Sequence, residues 1–206
     1  MKIRLTFAFL ILGLVLAFLG GKGLVTSIMP AKDLYDPEVD WTKLRNGQRV
    51  CADVDFVIEP FEITSNDSGQ DVSAIYTFPD LKVDSDDNIY IAHYMGILVN
   101  SEDFSKYNRM VDASWDWWDG KGELGSAGTD SFDGYLRKMD KKEKEFIHDY
   151  LKDWYSESEI EEMVVPYVMM RNQTMLANVL MFVGGIVLTL VGALFGFLFF
   201  IKKGGN

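Results

Sequence analysis

The 206 residues suffice for one modest domain plus membrane segments, and an apolar share of 48% with 14% aromatics excludes a disordered chain. The net charge of −11 is uneven: Leu24 to Arg171 holds 15 Lys and Arg against all 31 Asp and Glu, a balance of −16. So acidic a segment excludes nucleic acid as a partner, and a lone Cys51 excludes both an intrachain disulfide and a cysteine-based metal cage.

The chain opens with a short N-terminus, residues 1–4, carrying Lys2 and Arg4. The apolar run LTFAFLILGLVLAFLGG follows, and a transmembrane helix is predicted over 5–23. A cleaved signal peptide is the alternative. No A-x-A site follows the run, and Val25-Thr26-Ser27 is the nearest substitute. Gly13, Ala17 and Gly21 recur every four residues and give the helix one small-residue stripe.

Residues 24–45 read as a connector, broken by Pro30, Pro37 and a Tyr35-Asp36-Pro37 turn. Trp41 either sits at the membrane surface or caps the domain. An extracytoplasmic domain is predicted over 46–171. RVCADVDFVIEPFEIT, Arg49 to Thr64, alternates apolar and polar residues as one half-buried strand, bent at Pro60. SAIYTFP and NIYIAHYMGILV read as the next two strands.

Between those two strands, Asp84, Asp86 and Asn88 spell the D-x-D-x-N start of a calcium loop. The sixth and twelfth positions hold Ile89 and Met95 where an EF-hand needs Gly and Glu. An Asp/Asn-rich hairpin turn is the other reading. No other cofactor is expected. His93, His148 and Cys51 show no zinc-ligand spacing.

A helix is predicted from Ser101, with Asn100 or Ser101 as its cap. Phe104, Tyr107, Val111, Trp115 and Trp118 fall on one apolar face, and Asp112, Asp116 and Asp119 on the wet side. Trp117 falls off the apolar face and is the candidate ligand-stacking side chain. Gly120 to Ser131 is a Gly-rich loop without the GK[ST] ending of a phosphate loop. SFDGYLRKM reads as a strand.

Asp140 and Glu143 then form a capping box before a helix whose apolar face is Phe146, Ile147, Tyr150, Leu151 and Trp154. Ser156 and Glu159 form a second box before a short helix. VVPYVMM is a last strand or an extended lead into the next span. Asn66-Asp67-Ser68 and Asn172-Gln173-Thr174 match glycosylation acceptors, which matter only in a eukaryotic source.

The charge-free run from Leu176 to Ile201 ends at Lys202 and Lys203. Its length is roughly 39 Å as a helix, against a hydrocarbon core of about 30 Å. A second transmembrane helix is predicted over 175–201, with a tail over 202–206. Gly185, Thr189, Gly192 and Gly196 give it a small-residue stripe of its own, suited to packing against the first helix as an antiparallel pair. The basic flanks place both ends in the cytoplasm and the acidic domain outside.

The fold class is therefore α+β. A small mixed or antiparallel sheet, or a partly open OB-like barrel, carries packed helices between two transmembrane helices. NGQRVCADVDFVIEPFEIT, VDASWDWWDG, FDGYLRKMDKKEKEFIHDYL and VVPYVM resemble an uncharacterised family of short two-helix membrane proteins of Gram-positive bacteria. The resemblance implies a plasma-membrane protein at a bacterial cell surface, and it carries no catalytic or binding residues.

No catalytic motif stands out, so the sequence reads as a non-enzymatic accessory or scaffold module. Its partners would be the lipid bilayer and another membrane or envelope protein, or a second copy of itself. The alternative is a surface ligand binder, for cell-wall glycan or calcium, using Trp117 and the acidic loops.

Overall fold

The computed structural model describes residues 2–172 and 175–204. The chain forms two units: a helix pair from its two ends, and a domain from Pro30 to Arg171.

The pair is α1, Lys2–Ile28, and α5, Met175–Gly204, both long and apolar enough to cross a membrane. Their contacts run in opposite directions along the chain, from Thr6 opposite Gly196, through Leu10 opposite Gly192, to Gly20 opposite Phe182. The helices are therefore antiparallel. A methyl group built on Gly185 would lie 2.3 Å from the Ala17 backbone nitrogen and 2.7 Å from the Gly13 carbonyl oxygen. One built on Gly13 would lie 2.5 Å from Thr189 Oγ1. Only hydrogen fits at these places, so backbone meets backbone, which is how helices associate where no hydrophobic effect drives them together. Gly20 makes an equally close approach, whereas Gly21 only meets the Phe182 ring, at 3.4 Å. Asn178 is buried in the pair, and its amide donates to Ser27 Oγ at 3.5 Å.

The domain is built on a seven-stranded mixed sheet. In chain order the strands are β1 (Lys32–Asp33), β2 (Arg49–Val54), β3 (Ile58–Ser65), β4 (Asp71–Val83), β5 (Ile89–Asn100), β6 (Asp130–Lys138) and β7 (Val164–Arg171). Across the sheet they lie β1-β2-β6-β7-β5-β4-β3. The β1–β2 and β5–β7 pairs are parallel and the rest antiparallel.

The stretch Arg49–Thr64, read as one strand, is two strands. β2 pairs β6 near one edge while β3 pairs β4 at the other, and only residues 55–57 join them. In a flat sheet β2 and β3 would be five strand spacings apart, about 24 Å. Four residue steps span at most roughly 14 Å. The sheet must therefore curl back on itself at this corner. It approaches a barrel, with no pairing that closes it among the described residues.

Burial follows the layers. β2 and β6 alternate buried and open residues, the mark of a strand covered on one face. β4 buries seven consecutive residues, Ala74 to Asp80, because both its faces are covered. One face carries Val50, Tyr76, Phe78, Ile97, Leu136 and Met169, packed by Tyr107, Met110 and Val111 of α2 (Phe104–Trp118). The other face carries Ile75, Tyr94 and Val168, packed by α3 (Lys141–Leu151) and α4 (Glu157–Met163) through Ile147, Leu151 and Ile160.

The segment read as a connector supplies Leu34, Trp41 and Leu44 to the core. Trp41 has no exposed surface. Its ring stacks on Phe78 at 5.4 Å between centroids and its Nε1 donates to the Leu34 carbonyl at 3.1 Å. Both capping boxes are present, Asp140 with Glu143 and Ser156 with Glu159. Neither Asn100 nor Ser101 caps α2 with its side chain. A short 3-10 turn, Ser101–Asp103, leads in, and Asp103 takes the cap position without a side-chain bond. Instead Asp130 of β6 fixes the start of α2, accepting from Lys106 Nζ and Tyr107 OH, each at 2.6 Å, and from Arg171 of β7.

Adjacent glycines test the helix pair. A side chain on Gly184 points into open space, whereas one on Gly185 meets the opposite backbone. Gly185→Leu should destabilise the pair by about 1–3 kcal/mol or more, while Gly184→Leu leaves it near wild type. Thermal loss of helical circular dichroism in detergent reads both.

Candidate functional site

The sequence-predicted stacking residue and its neighbour change roles in the structure. Trp117 is half-buried and meets Phe56 edge-on at 5.5 Å. Trp118 is 42% exposed. The buried stripe of α2 is Tyr107, Met110, Val111 and Ser114, rotated from the face read in the sequence. Ser114 explains the rotation. Its hydroxyl is buried, donates to the Met110 carbonyl at 2.7 Å and accepts from the Val57 backbone at 3.1 Å. A polar residue satisfied in this way packs as core.

α3 ends at Leu151, so Trp154 leaves the helix face predicted for it and stands 57% exposed in the following turn. Between the ends of α2 and α3 lies a cleft of about 290 Å³. Phe56 and Ile58 form one wall, with Ile91 and Tyr94 of β5. Trp115 and Trp118 of α2 form the second, and Tyr150, Trp154 and Tyr155 the third. Three of the five tryptophans of the chain are here.

The rings are set at angles to one another. Tyr150 and Trp154 meet at 70°, Tyr94 and Tyr155 at 62°, Phe56 and Trp118 at 58°. Glu59, on β3, holds two of the walls: its carboxylate accepts from Trp115 Nε1 at 2.8 Å and from Tyr150 OH at 2.7 Å. Burial, and then the bond to Glu59, push the Tyr150 hydroxyl far above its ordinary pKa, so it remains a donor. Burial and the Tyr155 hydroxyl at 2.9 Å do the same to Tyr94. Among the described residues no Ser, Cys, His, Lys or Arg lines the cleft. The cleft presents aromatic side chains, with a carboxylate bonded to the rims of two of them.

Asp84 holds its own turn. Its Oδ1 accepts from the Asp86 and Asn88 backbones at 2.8 and 2.9 Å, and its Oδ2 from the Asn88 amide at 3.1 Å. These bonds hold its carboxylate below the usual range. Asp86 and Asn88 stand exposed on the same turn. Among the described residues no group of three or more His, Cys, Asp or Glu is placed to hold a metal ion. Cys51 lies on β2, His93 on β5 beside Asp80 at 3.1 Å, and His148 on α3. Asn66 closes the β3–β4 turn by accepting from Ser68 and Gln70. Gln173 and Thr174 of the second acceptor motif lie outside the described residues.

Glu59 and Tyr155 were not marked by the sequence, and Phe56 and Trp154 were read only as packing residues. The bonds to Glu59 span 56 and 91 positions, which no local pattern reveals. The clustering of aromatics at 150, 154 and 155 beside a helix end was the one available signal.

The fold and cleft define a class: an α+β domain with an aromatic cleft, flanked in sequence by two helices long and apolar enough to cross a membrane. Residues 1–202 match a family described as Domain of unknown function (DUF8577), and the chain belongs to that family. No curated protein and no solved structure matches it.

The carboxylate separates two kinds of tryptophan. Trp115→Phe keeps the packing but leaves a Glu59 oxygen without its donor, and should cost about 1–3 kcal/mol. Trp154→Ala removes an exposed ring and should cost less than about 1 kcal/mol. Denaturant unfolding followed by fluorescence measures both.

Proposed function

We propose that this chain is a membrane-anchored, non-enzymatic interaction module of the bacterial cell envelope. The basic flanks at Lys2, Arg4, Lys202 and Lys203 support a two-pass topology with both termini in the cytoplasm and the domain outside. The acidic balance of that domain supports a role away from nucleic acid and anionic wall polymers.

The single observation that carries the reading is the aromatic cleft, whose rim rings Trp118 and Trp154 are large, apolar and exposed. Exposed tryptophans around a pocket are what binding hot spots are made of. The occupant belongs to another membrane or envelope component, and the helix pair keeps the domain beside it. A surface ligand binder is the second reading, favoured by the small volume of the cleft. Glycan stacking has less support, since the rings are tilted and form no flat platform.

A photo-crosslinking amino acid at position 154, against one at exposed Asp67 on the β3–β4 turn, tests this in intact cells. One dominant adduct from position 154 and none from position 67 is expected. Equal adducts from both positions, or none from position 154, would contradict it.

A further inference from the structure

The geometry points to an alkylated ammonium ion as the group the cleft binds, held among Trp118, Tyr150, Trp154 and Tyr155, with the carboxylate of Glu59 outside the lining but bonded to two of its rings. This rests on the second reading above, that the cleft is the binding site of a surface ligand.

Four observations carry it. Neighbouring rings of the walls meet at 58° to 70°, so the lining does not offer one plane. A flat platform suits a sugar ring, whereas a cage of ring faces suits a rounded cation, because each face presents the negative side of its quadrupole. The polar hydrogens of Trp115 and Tyr150 are spent on Glu59, and Tyr94 and Tyr155 bond each other, so little remains on those walls for a polyhydroxylated ligand. The hydrogen bonds to Glu59 draw the edges of two rings toward a negative charge, which enriches their faces in electrons. Finally, the charge is complementary: among the described residues no basic side chain lines the cleft, and the domain carries −16.

The volume of about 290 Å³ fits one small ion with its N-methyl groups, near the lower end of small-molecule sites. A quaternary or methylated ammonium is preferred over a bare one. Its methyl groups give up little hydration and still carry the positive charge to the ring faces. The inference is to a free small cation, since a phosphate attached to the ammonium would be repelled by so acidic a domain.

Tryptophan fluorescence of the full chain in a maltoside detergent tests it, at fixed ionic strength. The probes are choline, its neutral isostere 3,3-dimethylbutan-1-ol, and glycerophosphocholine. Choline should bind saturably and about tenfold tighter than the isostere. Glu59→Gln should weaken choline about fivefold more than it weakens the isostere, and Trp154→Ala should weaken choline about tenfold. Tighter binding of glycerophosphocholine than of choline would keep the ammonium chemistry and assign it to a lipid head group. Equal binding of choline and the isostere, both lost in Trp154→Ala, would overturn the cation while the cleft stands as a binding site. No binding by any probe would overturn the cation too, and only a missing adduct at position 154 would then also remove the cleft.

Discussion

One carboxylate holds the cleft end of the domain together. Glu59 sits on β3, an edge strand, and takes a hydrogen bond from each of two helices. Trp115 brings it α2, and Tyr150 brings it α3. Trp115 also touches both hydrophobic clusters, so the side chain that binds Glu59 spans the core on both faces of the sheet. A charge-assisted bond between partners so far apart in sequence fixes geometry that apolar packing alone would leave looser. The walls of the cleft then stand at set angles, and Trp118 and Trp154 project from a rigid frame.

A second constraint is the short link between β2 and β3. Three residues carry the chain from one side of the sheet to the other, so the sheet curls and Phe56 is trapped at the corner. That corner forms one wall of the cleft. The curl and the carboxylate thus serve the same place. Elsewhere the domain is ordinary α+β packing, with strands covered on one or both faces as their burial patterns require.

Much of this was legible in the sequence, and what was not has physical causes. The long apolar runs, the period-two strands and both capping boxes are local patterns, and local patterns fix elements. The break at residues 55–57 was hidden because alternation continues across it: Val54, Phe56 and Ile58 are all buried, though they serve two strands and a corner. The face of α2 was read correctly at Tyr107 and Val111, with Phe104 and Trp115 packed beside it, but Trp118 leaves it, and Ser114 was missed because it is polar and only its two hydrogen bonds make it core. Trp154 was read as helical because its spacing fits, but α3 stops at Leu151. The cleft joins residues from 56 to 155, and one sequence does not show which of them meet.

The helix pair follows a simpler logic. Glycines at 13, 20 and 185 let backbones touch, and Asn178 with Ser27 adds a polar clasp. These are the interactions available where both helices are apolar on every side.

The indole N–H signals in an NMR spectrum of the full chain test the central claim most directly. The account requires Trp41 and Trp115 to exchange slowly with solvent, bonded to Leu34 and Glu59, and Trp118 and Trp154 to exchange fast. Glu59→Gln should speed the exchange of Trp115 alone. A Trp115 indole that exchanges as fast as Trp154 in the wild-type chain would contradict the account, for the carboxylate would then hold nothing.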